Sequence, residues 1–356
     1  MSSRATTELY RRFITQYLAK HSNPSLQDIA IAWSIVAMEP THLSAPPRIM
    51  GQPFELPDVY PKYDHRAFGR LLTESFDEVY DLVVKAIVKV KDIKPLRKGE
   101  RPSGVLGSIH GVLRSLVERN VPSDEAVMTV ILQHIEEVPN KAYSVEERAY
   151  SHASSLLQLI GDAQSKEHPL PNPSYGPQVL DIGCGDGSIT SSLCARLPNA
   201  SGHGVDVLPP TGIYKHPLYD LDYVQIKEED TVYPFEDGIM DLVLAMESVH
   251  HIRYVQLVSS MLKKVKRDGL LIIKEHDVTN RHIADYLHVR HLLDTTLIEK
   301  KTPEQFEGHY FARYTTRNTL RRAITSQGFV LVPVKDPYEG MSNPLKVYHE
   351  VYYREQ

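Results

Sequence analysis

The sequence is poor in the residues that build cross-linked or thiolate-based sites. Cys184 and Cys194 are the only cysteines among 356 residues, so a disulfide framework and a cysteine-ligated zinc site both lack ligands. No stretch approaches the ~18 consecutive apolar residues of a membrane-spanning helix, and the first residues, MSSRATTELYRR, lack the apolar core of a secretory signal. These absences predict a soluble, cytoplasmic protein with reduced thiols and no membrane contact.

A strong charge of either sign is also missing. The formal net charge is −5, and the acidic excess lies in residues 151–356, which argues against a chain coated with nucleic acid. One segment departs from this balance, because residues 85–101 hold seven basic and two acidic side chains. Two interpretations stand for this segment: a solvated helix end, or a surface that contacts the phosphates of RNA.

The first part of the chain has the periodicity of helices. Apolar residues recur every three or four positions, which predicts helices over residues 6–20, 26–38, 66–90, 104–119, 123–137 and 144–160. The length of the chain leaves room for two or three domains. We therefore predict an all-helical N-terminal domain over residues 1–140, which recognises a substrate or binds a partner, either a protein or RNA.

The pattern changes after a linker that contains four prolines between Pro169 and Pro177. Short apolar runs then alternate with helical segments, and strands are predicted over residues 178–183, 202–207, 223–226, 240–246, 269–275, 329–334 and 346–353. Alternating strands and helices form a mostly parallel sheet covered by helices. No helix separates the last two strands, so we predict a C-terminal antiparallel hairpin. Residues 141–356 are thus predicted to form an α/β domain with a Rossmann-like, seven-stranded sheet.

A glycine loop follows the first predicted strand. The segment from Asp181 to Ser188 is Asp-Ile-Gly-Cys-Gly-Asp-Gly-Ser, and glycines at this point let a ligand approach the backbone closely. Asp206 closes the second strand, where an acid can accept hydrogen bonds from a ribose diol. This pairing predicts a nucleoside-containing cofactor. A dinucleotide would need glycine or alanine in place of Ser188, and Asp181 suits a cationic ligand better than a pyrophosphate.

These motifs resemble the cofactor loop and ribose strand of class I S-adenosylmethionine-dependent methyltransferases. The resemblance continues through residues 233–244, 250–252 and 265–273, whose order and spacing are similar to the broad type 11 branch, and it covers about residues 144–356. It implies that S-adenosylmethionine is the cofactor. It also implies methyl transfer to an acceptor, which is either a small molecule or an RNA.

The resemblance further implies which residues contact the cofactor. Asp181 and the loop glycines would hold the methionine part. Asp206 would hold the ribose hydroxyls, and Glu229 or Asp230, of which Asp230 is preferred, would lie near the adenine amine. Met246, at the end of the fourth strand, is a further predicted cofactor contact. The loop glycines are Gly183, Gly185 and Gly187.

The candidate catalytic residues follow the fourth and fifth strands, and they are His250, His251, Lys274 and Glu275. Alignment supplies most of the rate of such a displacement, and a general base adds ~10²–10⁴-fold when the acceptor must lose a proton. Lys274 stands five residues after Gly269, as a lysine does in ribose 2′-O-methyltransferases. An RNA cap or ribose methyltransferase that uses Lys274 is therefore an alternative, although Ser155 and Met246 occupy the places of two other groups of that mechanism.

Two further clusters of polar or aromatic residues follow the fifth strand. His282, Asp285, His288 and His291 recur every three positions, close enough for a pair such as His288 and His291 to share a metal. At about 100° per residue all four cannot converge, so we predict a polar helix face and no metal site. Tyr310, Phe311 and Tyr314 are predicted either to pack in the core or to stack on a flat acceptor. A catalytically silent scaffold with the same fold remains a second alternative, although a scaffold has no need of the glycine loop and Asp206.

Overall fold

The computed structural model describes residues 54, 56, 64–97, 99–141, 144–165, 176–340 and 343–355. These residues belong to one compact unit, Gly51–Gln356. The helices predicted over residues 6–20 and 26–38 lie outside the described residues. Within the described ranges, none of the helices combines the length and the apolar composition that are needed to cross a bilayer.

Five helices precede the sheet in the described part of the chain. They are α1 Ala67–Glu74, α2 Phe76–Val90, α3 Gly104–Arg119, α4 Asp124–Ile135 and α5 Val145–Gln164. The sequence predicted a single helix over residues 66–90, but the backbone of Ser75 leaves the helical region, with φ −145° and ψ 53°, and divides it into α1 and α2. The side chains of Ser123 and Ser144 accept N–H groups of the first turns of α4 and α5, which fixes where these helices begin.

Seven strands of the described residues form one sheet. Their bounds are β1 Gln178–Ile182, β2 Ser201–Asp206, β3 Asp222–Gln225, β4 Met240–Met246, β5 Val265–His276, β6 Phe329–Val332 and β7 Val347–Arg354. The strand order is β3-β2-β1-β4-β5-β7-β6. The first five strands are parallel, while β7 is antiparallel to both β5 and β6. The predicted fold class, a mostly parallel sheet that ends in an antiparallel hairpin and follows helices, is confirmed.

Helices cover both faces of this sheet. Those that follow β1 are α6 Ser188–Cys194, α7 Val255–Lys264, α8 Arg281–Leu297, α9 Pro303–His309 and α10 Arg317–Thr325. Consecutive residues of β4 pack on opposite faces, as the pleat of a strand requires. Val243 joins the apolar cluster with α7 and α10, whereas Leu242 and Leu244 join the cluster with α5.

The first four helices share an apolar core with α8 and α9. Phe68 of α1 and Ile87 of α2 belong to the same buried cluster as Val289 of α8 and Phe306 of α9. Because α8 follows the carboxyl end of β5, this core holds the first helices near that edge of the sheet. The boundary at residue 140 stays a prediction, and it divides helices that share this core.

Candidate functional site

A cavity of about 350 Å³ opens at the carboxyl ends of β1, β2 and β4. Its wall includes Gly183 after β1, Asp206 at the end of β2 and Glu247 after β4. Tyr310 and Phe311, from the segment after α9, also line it. Open parallel sheets bind their ligands at this edge, and small-molecule pockets enclose ~300–1,000 Å³. The predicted glycine loop and ribose strand therefore border one cavity.

The three loop glycines adopt backbone conformations that other residues rarely adopt. Gly183, Gly185 and Gly187 have φ angles of +69°, +58° and +72°, in the left-handed region that favours glycine. A Cβ on Gly183 would lie 2.6 Å from the Cβ of Ser248, whereas a Cβ on Gly185 would meet no atom within 4 Å. The loop therefore turns tightly against the β4 side and leaves open space at Gly185.

Asp181 lies beneath this loop and is almost fully buried, with 3% of its surface exposed. Thr190 donates its hydroxyl proton to Oδ2, but Oδ1 has no hydrogen-bond partner among the described residues. Burial raises the pKa of this carboxyl to about 7. An unpaired buried carboxylate oxygen is costly, so the position suits a ligand that brings a positive charge.

Asp206 links the second strand to the glycine loop. Its Oδ2 accepts the N–H of Gly185 at 2.7 Å, and its Oδ1 accepts the N–H of Leu208 at 3.0 Å. A carboxylate has about four lone-pair positions, so two remain for a ligand in the cavity. The structure thus brings together the loop and the acid that the sequence assigned to one cofactor.

The structure does not bring Asp230 and Met246 to the cavity. The carboxylate of Asp230 accepts the N–H of Lys227 within its own turn, and Ile226, Lys227 and Glu228 line the cavity from that segment. Met246 packs against the apolar cluster on the α5 side of the sheet. The family resemblance implied Asp230, and Met246 was predicted at the end of the fourth strand. Neither indication shows which side of the turn or strand the side chain occupies.

We expect Asp206→Ala to raise the dissociation constant of S-adenosylmethionine, the cofactor that the sequence implies, by roughly ten- to a hundredfold, because hydrogen bonds to charged groups contribute ~1.5–3 kcal/mol. Asp230→Ala is the matched control and should bind the cofactor as the wild type does. Isothermal titration of the two variants measures both constants. Equal losses in the two variants would contradict the placement of the ribose at Asp206.

The turn after β4 joins a histidine to a carboxylate of the neighbouring strand. His250, which is 3% exposed, places Nδ1 2.7 Å from Oε2 of Glu275 on β5, and its backbone N–H donates to Oε1. Nδ1 therefore carries the proton, and Nε2 is buried without a hydrogen-bond partner among the described residues. Burial lowers the pKa of His250 to about 4 and raises the pKa of Glu275. The imidazole is thus neutral, with its lone pair at Nε2.

Lys274 pairs with Glu247 instead of lining the cavity. Its Nζ lies 2.5 Å from Oε1 of Glu247, and its side chain is 7% exposed. Burial disfavours both charges, but the pairing outweighs it, so that Glu247 raises the pKa of Lys274 and Lys274 lowers the pKa of Glu247. A lysine held in its protonated form cannot accept a proton. The catalytic use of Lys274 stays a prediction.

His251 and two of the three predicted aromatic residues face the cavity. His251 lines it and donates Nδ1–H to the carbonyl of Phe311 at 2.8 Å, and its ring centroid lies 4.1 Å from that of His250. Tyr310 and Phe311 line the cavity as well. Tyr314 is instead buried, with its hydroxyl 2.7 Å from that of Tyr310. Tyr310 and Phe311 are therefore positioned to stack on a flat acceptor, whereas Tyr314 packs in the core.

The prediction that α8 presents a polar face to solvent is wrong for Asp285 and His288, because both side chains are buried. Asp285 forms ion pairs at 2.8 Å with Arg70 of α1 and with Arg281. His288 places Nδ1 3.1 Å from the hydroxyl of Tyr310. The contact with Arg70 joins segments more than two hundred residues apart, so helical spacing alone could not indicate that the face is covered.

His291, one turn further along α8, lies beside the histidines that follow β4. Its ring centroid is 5.5 Å from that of His250 and 4.9 Å from that of His251, and its Nε2 is buried without a hydrogen-bond partner among the described residues. The sequence indicates His291 only as half of a metal-binding pair with His288 and favours a polar helix face instead. Helical spacing could not indicate that His291 lies beside the histidines after β4.

Comparisons with known proteins agree with this architecture. Residues 145–334, more than half of the chain, match a family model described as "Methyltransferase domain". A ubiquinone biosynthesis O-methyltransferase of Rickettsia conorii is 26% identical over 215 residues, which are 53% of this chain and 71% of that protein. A probable phthiotriol/phenolphthiotriol dimycocerosates methyltransferase 2 of Mycobacterium ulcerans is 38% identical over 98 residues.

The mycobacterial match covers 26% of this chain, and the chain spans only 37% of the length of that relative. Among solved structures, the CurJ carbon methyltransferase is similar over 83% of this chain and 72% of that one, with a TM-score of 0.40 and 18% identity.

The glycine loop, the carboxyl beneath it and the cavity wall together fit a cationic nucleoside cofactor. Asp181 has an unpaired carboxylate oxygen, Gly185 borders open space, and Asp206 keeps free acceptor positions at the cavity wall. The family match covers the glycine loop, β2, the turn that carries His250 and the strand that carries Glu275. The chain therefore belongs to the family whose model is described as a methyltransferase domain.

Proposed function

We propose that this protein methylates a small acceptor whose acidic hydroxyl, either a phenol or an enol, loses its proton to His250. The observation that carries the proposal is the buried pair of His250 and Glu275, which holds an imidazole lone pair without a partner behind the cavity wall. A methyltransferase that relied on alignment alone would have no need of a buried base. An acceptor that must lose a proton does need one.

In this proposal the cofactor binds at the carboxyl ends of β1 and β2. The unpaired carboxylate oxygen of Asp181 would face the amino group of the cofactor, and Asp206 would hold the ribose hydroxyls. Bound S-adenosylmethionine supplies an electrophilic methyl group on a positively charged sulfur. Glu247 and Ser248 line the cavity beyond the glycine loop, so the acceptor would bind between them and Tyr310.

Glu275 gives His250 the properties of a base. By accepting Nδ1–H it fixes the tautomer that leaves Nε2 without a proton, and its carboxylate stabilises the imidazolium that forms when the acceptor proton arrives. The pKa of about 4 keeps the imidazole neutral at pH 7, but it also weakens the base, so the transfer requires an acceptor hydroxyl that is itself acidic. His251 lies between His250 and the cavity, so the acceptor would reach Nε2 by displacing the ring of His251.

The cavity wall favours a flat and largely apolar acceptor. Apolar or aromatic side chains in its wall include Ile252, Leu257, Tyr310 and Phe311, beside charged groups such as Glu247, Arg253 and Lys301. Aromatic rings stack on flat molecules. The name of the Rickettsia relative states O-methyl transfer, which supports an oxygen acceptor. The RNA alternative would need Lys274 at the reacting centre, but Lys274 is paired with Glu247.

Incubation of the protein with methyl-labelled cofactor and a panel of acceptors tests this proposal. The panel contains a catechol, a cyclic 1,3-diketone, a primary alcohol and a capped RNA oligonucleotide. We expect label in the catechol or in the enol form of the diketone, and none in the alcohol or the RNA. Label in the RNA alone would replace the proposal with the RNA methyltransferase. Tight cofactor binding without transfer to any member would favour the silent scaffold.

A further inference from the structure

Three histidines from two distant segments converge at the cavity wall. One ring nitrogen from each of His250, His251 and His291 lies within 4.8 Å of those of the other two. We propose that these three residues, the histidine triad, bind a divalent transition-metal ion such as Zn²⁺. The site itself is independent of the proposed function, whereas its effect on activity, described below, rests on that function.

The ring nitrogens that would bind the metal are not committed to other partners. The Nδ1 atoms of His250 and His251 donate to Glu275 and to the carbonyl of Phe311, which leaves each Nε2 as a lone-pair donor. The Nε2 atoms of His250 and His291 are buried and have no hydrogen-bond partner among the described residues. Because an unpaired buried nitrogen is costly, two such atoms on rings whose centroids lie 5.5 Å apart indicate a ligand that satisfies both.

The partners of the Nδ1 atoms are those that metal-binding histidines usually have. A histidine that ligates a metal donates its other N–H to a carboxylate or a backbone carbonyl, which fixes the tautomer and orients the ring. Glu275 is such a carboxylate for His250, and the carbonyl of Phe311 is such an acceptor for His251. Two of the three proposed ligands, His250 and His251, therefore already make the hydrogen bond that orients a metal-binding ring.

The ligand set selects the kind of ion. Three neutral imidazoles suit zinc, copper, nickel or cobalt, whereas magnesium and calcium require oxygen ligands. Tetrahedral zinc, with bonds of about 2.0–2.1 Å, would bring the nitrogens to roughly 3.3 Å from one another. Because they now lie within 4.8 Å, the rings would close by at most about 1.5 Å. His251 lines the cavity, which leaves the fourth coordination position on the side of the acceptor.

The metal and the acceptor proton would compete for the same atom. Nε2 of His250 is a ligand in this site and the base in the proposed function, and one lone pair cannot serve both. We therefore expect Zn²⁺ to inhibit methyl transfer. His291 takes no part in the proposed proton transfer, so its removal should abolish the inhibition and preserve the metal-free activity.

Titration of the chelator-treated, full-length protein with Co²⁺ tests the site, because bound Co²⁺ absorbs visible light. Addition of Zn²⁺ should then displace the bound Co²⁺ and remove this absorption. We expect one ion per chain in the wild type and at least a hundredfold weaker binding in His291→Leu. His152→Leu is the matched control, because His152 is another partly buried histidine with a lowered pKa, and it should bind the ion as the wild type does.

The same variants separate the metal site from the fold and from the proposed function. His291→Leu removes an unpartnered buried nitrogen, so its metal-free Tm should be at least that of the wild type, and its affinity for S-adenosylmethionine should be unchanged. Absence of saturable Co²⁺ binding in the wild type, or equal binding in His291→Leu, would overturn the site and leave the proposed function standing. Binding with activation by Zn²⁺ would support the site and overturn the role of His250 as the base.

Discussion

His250→Gln should lower kcat for the acceptor by ~10²–10⁴-fold, the usual contribution of a general base, and leave the dissociation constant of S-adenosylmethionine unchanged. Glutamine can still donate a hydrogen bond to Glu275, but it cannot take up a proton. The predicted cofactor contacts, Asp181, the glycine loop and Asp206, are untouched. Single-turnover transfer of labelled methyl, measured in the presence of a chelator, gives the rate, and isothermal titration gives the affinity.

Two further variants test whether the loss of kcat in His250→Gln comes from the missing base. Glu275→Gln keeps the imidazole but removes the carboxylate that stabilises its protonated form, so we expect a smaller loss of kcat with unchanged cofactor affinity. His152→Gln changes a histidine of α5, outside the cavity wall, and should have wild-type kinetics. A His250→Gln protein that binds the cofactor and keeps its full kcat would exclude His250 as the base.

The glycine loop and Asp206 could be predicted because their relation depends on local sequence. A strand, a loop with three glycines and a second strand follow one another within residues 178–206, and adjacent parallel strands end at the same edge of a sheet. The contact between His250 and Glu275 was harder to predict from the sequence. Both residues were candidates, but their contact depends on the register of β4 with β5, in which Met246 lies opposite Lys274.

The rest of the site could not be predicted, because it depends on contacts between distant helices. The position of α8 is fixed by its core with α1 and α2 and by the ion pair of Arg70 with Asp285, more than two hundred residues apart. That position carries His291 to the histidines after β4. The pairing of Glu247 with Lys274 depends on a positive φ angle of 57° at Glu247, which a non-glycine residue rarely adopts and which its sequence does not indicate.

The binding of S-adenosylmethionine should weaken about tenfold for each pH unit below 7, because Asp181 must be ionised to pair with a cation. Burial raises the pKa of this carboxyl from 3.8 to about 7. Below that pH the free protein holds a proton on Asp181, which binding must displace, whereas above it the carboxylate is already charged. Titration of the cofactor between pH 5 and 8, with circular dichroism to monitor the fold, measures the slope.

The same carboxyl should make the cofactor-free protein less stable as the pH rises. Because the pKa of Asp181 is higher in the folded state, its stabilising contribution is complete below the unfolded value of 3.8 and is lost as the pH rises to about 7. The shift of about three pH units corresponds to a cost of roughly 4 kcal/mol above pH 7. Asn at this position avoids that cost but leaves an unpaired amide group, which costs ~1–3 kcal/mol.

Asp181→Asn should therefore be more stable than the wild type by ~1–3 kcal/mol at pH 8, and yet bind S-adenosylmethionine more weakly and with little dependence on pH. The opposite signs follow from one cause, because the charge that destabilises the empty fold is the charge that attracts the cofactor. Denaturant unfolding at pH 8 and at pH 5 measures the stability difference, which should shrink at the lower pH. Two results would show that Asp181 does not pair with the positive charge of the cofactor. One is a variant that is less stable than the wild type at pH 8, and the other is a variant whose affinity keeps the wild-type dependence on pH.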